Sequence, residues 1–173
     1  MSDIDERAEI AVSRYRGHIH AYCVRRLPAS HAGDATSEVM TVTWRRRATL
    51  PEEPGTLPWM HGVAHKVVGG VWRSERRWLA RAERAAATAI NHSEPVESGA
   101  IQMEEERQVR QALSRLRSAD QEILRLAAWE GLSNRQIAEI MDLTPAAADQ
   151  RLSRAKKRLA EEFNAIASGK GVV

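Results

Sequence analysis

Gln150, Arg151, Arg154, Lys157 and Arg158 fall within nine residues of one another. Guanidinium and amide groups can each make two parallel hydrogen bonds to a purine edge, and ammonium groups neutralise phosphates. Ala148, Leu152, Ala155 and Leu159 interrupt these residues at steps of four, three and four, the spacing of one buried helix face. The stretch therefore predicts a helix that buries one side and offers polar cations on the others, as a major-groove reading helix must. Asp149 sits on the same helix; a carboxylate repels phosphate but can accept from cytosine N4. Ser133, Asn134 and Arg135 open a preceding helix, whose first N–H groups can hold a phosphate. The bland alternative is a helical hairpin with a solvated basic face.

A second set combines aromatic rings with cations: Trp59, His61, His65, Lys66, Arg73, Arg76 and Arg77. Stacking rings beside a basic surface suit the bases and backbone of a separated strand. Trp59 reads more as a core residue and the Arg cluster more as a functional surface, because a merely solvated face would usually carry mixed charge.

Other chemistry is not supported. His61 and His65 have the spacing of a zinc helix, but Gly62 replaces the Glu that motif needs, and no third ligand is evident. His18, His20 and Cys23 do not share one helix face well. No Gly-rich phosphate cradle and no nucleophile–base pattern occurs, so we expect no metal, no cofactor and no enzymatic activity. Cys23 is the only cysteine, which excludes an internal disulfide.

The elements around these residues read as helices throughout. In GLSNRQIAEIMDLTP, Ser133 and Gln136 form a capping box, and Ile137, Ala138, Ile140 and Met141 make an apolar face. Asp142 stands where the corner needs left-handed backbone, Leu143 plugs it, Thr144 caps the next helix and Pro145 opens it. Upstream, residues 3–26 predict a helix with Ile4, Ala8, Ala11, Tyr15, Ile19, Tyr22 and Cys23 inward. Asp34 would cap a second helix over 35–49, with Val39, Met40, Thr43 and Trp44 buried. Residues 50–57 form a Pro- and Gly-bearing loop, and a third helix follows over 59–84, weakened by Gly62, Gly69 and Gly70. Helices over 104–116 and 121–129 precede the helix–turn–helix, the latter capped by Ser118.

Charge is uneven along the chain. Residues 1–84 hold 14 basic and 10 acidic groups, 85–100 two Glu and no base, and 101–173 12 basic and 11 acidic groups. Basic groups cluster at 45–47, 73–77 and 151–158. With no strand pattern, the expected fold class is all-α: two small helical domains over 1–84 and 105–166, an acidic flexible linker over 85–104 and a frayed tail over 167–173. There is no run of about 18 apolar residues and no signal-peptide core, so a cytoplasmic location is the default.

Two blocks resemble one family. DATSEVMTVTWRRR, then PWMHGVAHKVVGGVWRSERR, is similar to conserved region 2 of bacterial extracytoplasmic-function sigma factors, with Asp34, Glu38, Trp44, Trp59, Ala64 and Arg73 in the motif places. ALSRLRSADQEILRLAAWEGLSNRQIAEIMDLTPAAADQRLSRAKKRL resembles region 4, and its RLSRAKKRL end is the more specific part. The chain departs from the usual pattern at Ser37, Lys66, Gly70, Ala147 and Asp149.

The resemblance implies a promoter-specificity subunit of RNA polymerase. Thr36, Glu38, Val39, Thr43 and Trp44 would dock the core polymerase. Loop 48–57 with Trp59, His61, His65, Lys66, Arg73, Arg76 and Arg77 would hold the −10 element. Ser133, Asn134, Arg135, Asp149, Gln150, Arg151, Arg154, Lys157 and Arg158 would bind the −35 element. A tether of about 20 residues spans at most roughly 70 Å, the length of about two duplex turns. An anti-sigma factor masking these faces is implied as a further partner. Two other classes stay open: a free-standing helix–turn–helix regulator of LuxR-like type, and a degenerate sigma homologue acting as a protein-interaction module.

Overall fold

The computed structural model describes residues 3–83 and 100–168. Among these there is no strand, and no helix is long and apolar enough to cross a membrane. The chain divides into two compact units, Met1–Ser93 and Glu94–Val173. Of the expected linker over 85–104 and tail over 167–173, residues 85–99 and 169–173 lie outside the described residues.

The first unit is built from α1 (Asp3–Val24), α2 (Ala29–Arg45) and α3 (Thr56–Glu83), with a 3₁₀ turn at Arg47–Thr49. Alanine every third or fourth residue lets the axes approach closely: Ala8 and Ala11 on α1, Ala32 and Ala35 on α2, and Ala64 on α3 are all buried. Ile19, Tyr22, Val39 and Met60 fill the space between them. Thr36 and Thr43 are also buried in this core, their hydroxyls donating to the carbonyls of Ala32 (2.7 Å) and Val39 (2.8 Å). A buried hydroxyl that bonds its own helix avoids the cost of an unmade bond. Arg26 is buried too, its guanidinium 3.6 Å above the Tyr22 ring, with Nη1 donating to the Tyr22 carbonyl at 3.3 Å. Trp72 Nε1 donates to the Arg26 carbonyl (3.2 Å), tying α3 to the α1–α2 corner.

Several helix bounds and two buried positions differ from expectation. α2 begins at Ala29, not after Asp34, because Pro28 at φ −54° starts the helix early, and Asp34 then points outward in mid-helix. α1 ends at Val24, α2 ends at Arg45, and α3 begins at Thr56. Ile4 and Trp44, expected inside, are each 42% exposed.

Cys23 is fully buried, and burial pushes its thiol up, against smaller opposing pulls from a hydrogen bond with Thr36 and the Arg26 charge. The thiolate is the reactive form. Cys23 is therefore expected to resist a soluble disulfide reagent at neutral pH in the native chain. One thiol per chain should react at once in denaturant; rapid native labelling would contradict this packing.

The second unit comprises α4 (Ala100–Ser114), α5 (Ser118–Ala128), α6 (Asn134–Ile140) and α7 (Pro145–Ala167). Ala112, Leu113, Leu116, Ile123, Leu126, Leu132, Ile137, Ala138, Ala148, Leu152 and Ala155 form its core, and α7 packs on the other three helices. α4 starts four residues before its expected onset, and Val109 on it is 45% exposed. Glu104, counted with the acidic tether, accepts from Arg107 (2.9 and 2.8 Å) and Gln108 (2.9 Å), which hold its carboxyl down to about 2. Ser118 is the first residue of α5 rather than its cap, and Arg117 takes the cap position.

Two corners need left-handed backbone. Gly131 (φ 62°) lets Leu132 N–H reach back to the Leu126 carbonyl (3.2 Å), and Asp142 (φ 53°) lets Leu143 N–H reach the Ala138 carbonyl (2.8 Å). A Cβ on Gly131 would meet nothing within 4 Å, so only conformation opposes it. Gly131→Ala is expected to cost about 1 kcal/mol, and Asp142→Gly to gain about 0.5–1 kcal/mol. Thermal melting of the full chain should move down for the first variant and up for the second.

Candidate nucleic-acid interface

The helix–turn–helix is set by local bonds. Gln136 N–H donates to Ser133 Oγ (3.3 Å), and Ser133 N–H donates to Gln136 Oε1 (2.9 Å), closing the expected capping box. Thr144 Oγ1 accepts from Ala147 N–H (3.2 Å), and Pro145 stands at the first position of α7. These caps fix where α6 and α7 start, and hence which α7 side chains face away from the core. Leu143 at the corner is half-buried.

Gln150, Arg154 and Lys157 are exposed on α7, and Arg151 is half-buried. Among the described residues Gln150, Arg151 and Arg154 make no ion pair with the protein. Gln150 and Arg154 stand on the side of α7 away from its buried stripe, and Arg151 borders that stripe. Lys157 stands 4.0 Å from Glu161 and Arg135 3.5 Å from Glu139, both exposed pairs at i,i+4. Such pairs are worth a few tenths of a kcal/mol and release readily to a phosphate.

Four of the nine expected contact residues, Ser133, Asn134, Asp149 and Arg158, are bonded within the fold. Arg158, expected on phosphate, has Nη1 2.5 Å from Asp120 Oδ2, and the Asp120 side chain is only 8% exposed. A carboxylate this buried needs its partner, so Arg158 is a structural cation joining α7 to the first turn of α5. Ser133 spends its hydroxyl and N–H on the capping box. Asn134 and Asp149 are both exposed, and Asn134 Nδ2 donates to Asp149 Oδ1, linking α6 to α7. Asp120 itself gave no signal in the sequence beyond being an acid near a helix start.

In the first unit Lys66, Arg73, Arg76 and Arg77 are exposed along α3, while Trp59 and His65 are half-buried. Arg73 folds back over Gly69: a Cβ there would lie 3.2 Å from Arg73 Nη1. Gly69 thus makes room for a cation to lie along its own helix, which accounts for one of the three helix glycines. His61 does not belong with the exposed set. It is 2% exposed and stacks on Tyr22 with ring centroids 5.5 Å apart, so it is a core residue.

The loop before α3 is pinned to α1. Arg7 Nη2 donates to the Leu50 carbonyl (3.2 Å), and the Tyr15 hydroxyl donates to Glu53 Oε1 (2.6 Å), a bond that raises the Tyr15 phenol above its ordinary range. Thr56 Oγ1 donates to the Pro51 carbonyl (2.9 Å). Arg7, Ile10, Arg14, Leu50, Glu52 and Thr56 are among the residues lining a cleft there.

Of the five residues expected to dock a partner, Thr36, Val39 and Thr43 are core residues and cannot be a surface. Glu38 and Trp44 are exposed. Arg47 lies over the Trp44 ring at 5.3 Å while its Nε meets Asp5 Oδ1 at 2.5 Å, so the indole stands beside a fixed cation. His18 and His20 are also occupied, against Tyr15 edge-on and Thr36 Oγ1 respectively.

Comparison with known proteins bears on both units. Residues 106–159 match the family model described as Sigma-70, region 4. A probable RNA polymerase sigma factor, RfaY, of Xanthomonas campestris pv. campestris is 33% identical over 143 residues, which is 79% of this chain and 36% of that protein. The chain thus spans about a third of the length of that curated relative. Among solved structures, the fold is similar to sigma factor RpoE in complex with the anti-sigma factor NepR from Bartonella quintana. The TM-score is 0.70 at 17% identity, covering 92% of this chain and 97% of that one. It is also similar to CnrH in complex with the cytosolic domain of CnrY, with a TM-score of 0.57 at 18% identity, covering 94% and 99%.

Proposed function

We propose, from the premise that this chain belongs to the sigma-70 family in its extracytoplasmic-function class, that it binds core RNA polymerase and directs it to promoters. One observation carries this: the region-4 match over 106–159 coincides with a doubly capped helix–turn–helix whose Gln150 and Arg154 face outward, with half-buried Arg151 beside them, none ion-paired among the described residues. On this reading the protein is a non-enzymatic subunit with no cofactor of its own, working where core polymerase is, in the cytoplasm.

The labour divides by unit. In residues 105–166, Gln150, Arg151 and Arg154 read the −35 element, and Lys157, Arg135 and the first N–H groups of α6 hold its phosphates. In residues 1–84, Lys66, Arg73, Arg76 and Arg77 take the backbone of the −10 strand, with Trp59 and His65 at their margin. The cleft between α1 and the pinned loop is where an extruded base would be held. Glu38 and Trp44 are what remains of the polymerase-docking set. RpoE and CnrH are each described with a partner chain, RpoE with an anti-sigma factor. We extend that to this chain as an anti-sigma partner covering these faces, testable by copurification from uninduced cells.

Run-off transcription with core enzyme on a genomic fragment library tests the proposal. Promoter-specific transcripts should appear only when chain and core are combined. Absence of such transcripts, or equally tight sequence-specific duplex binding without core, would overturn it.

A further inference from the structure

The Asn134–Asp149 bond joins the first residue of α6 to an exposed position on α7, across 15 residues of chain. A lone carboxylate on a face that meets phosphates would be repelled and would swing away. Here one oxygen is fixed by an amide donor from the neighbouring helix, so the rotamer is set before any ligand arrives. The second oxygen remains. An ionised carboxylate is acceptor-only, and it can bond only to a base edge that donates. In the major groove two groups donate, cytosine N4 and adenine N6. Adenine N6 lies beside N7, an acceptor that a carboxylate repels and that suits an amide instead; cytosine N4 is the donor matched to an acid.

Resting on the promoter-binding reading above, we infer that Asp149 is a specificity-determining residue for a cytosine in the upstream element, and that Asn134 is its positioning residue rather than a phosphate contact. The bond from Asn134 orients the carboxylate, and Arg151 and Arg154 on the same helix supply the cationic setting that keeps an acid near DNA tolerable. The unusual acid thus narrows the promoter set instead of weakening binding.

The test uses the full chain with core polymerase and a promoter library randomised across the upstream element, reading enrichment in run-off transcripts. Wild type should enrich a C·G pair at one position by about tenfold, the size of one good base contact. Asp149→Ala should flatten that position alone, and Asn134→Ala should weaken the same preference without abolishing transcription. Asp149→Asn, which keeps the size and can still accept from Asn134, should move the preference toward A·T. An Asp149→Ala profile identical to wild type, or one flattened equally at all positions, overturns the inference. So does an Asp149→Asn variant that still selects cytosine. If wild type itself yields no promoter-specific transcript, the underlying reading fails and this inference falls with it.

Discussion

Replacing Arg151 and Arg154 together by Ala is expected to lower run-off transcription from a −35-dependent promoter about 100-fold. Each well-placed guanidinium contact to a base is worth roughly 1–3 kcal/mol, and two near the lower end of that range, about 1.4 kcal/mol each, give this factor. Neither side chain contributes an ion pair to the fold, so each substitution should cost less than about 0.5 kcal/mol of stability. The melting temperature should therefore stay nearly constant while activity collapses. If activity falls only with a parallel loss of melting temperature, the two arginines are structural and the reading face lies elsewhere. A fall that is uniform across all promoter sequences would assign them to phosphates instead.

Arg158→Ala should behave in the opposite way. It leaves Asp120, buried in the first turn of α5, without its cation. Breaking a fully buried pair from one side costs about 3–5 kcal/mol. The Arg158 side chain is 47% exposed, so solvent screens the pair, and about 2 kcal/mol is the better expectation. A body of about 60 residues has total stability of only a few kcal/mol. Its melting temperature should then fall by about 10 °C. The salt dependence of DNA binding should be unchanged at temperatures where the unit stays folded. A phosphate contact would instead reduce the salt slope by about one and leave melting alone. A paired Asp120→Leu, Arg158→Met variant should recover most of the loss, since two apolar groups can replace a buried pair.

Arg154 and Arg158, four residues apart, also mark what could be read from the chain alone. The caps of α6 and α7 were legible because their bonds run from one residue to the third after it, a distance that the local sequence displays. The left-handed corner at Asp142 was legible for the same reason. The role of Arg158 was not, because its partner lies 38 residues away and nothing local distinguishes a cation that bonds Asp120 from one that would bond a phosphate. His61 and Thr36 read as outward because polarity is a poor guide to burial when a ring can stack or a hydroxyl can bond its own helix. Trp44 was misplaced inward on the opposite assumption. Asp34 looks like a cap because Pro28, six residues earlier, reads in the sequence as a helix stop as readily as a helix start.

The buried stripe of α7, Ala148, Leu152 and Ala155, occupies one side, and Gln150 and Arg154 stand across the helix from it. Changes on the outer side leave the packed side untouched. Duplicated copies of such a gene could therefore drift to new DNA targets through substitutions at those few outward positions, each tolerated by an unaltered scaffold. On the promoter-binding reading proposed above, the targets open to descendants of this chain are limited by chemistry at the groove, not by the need to keep the helix folded.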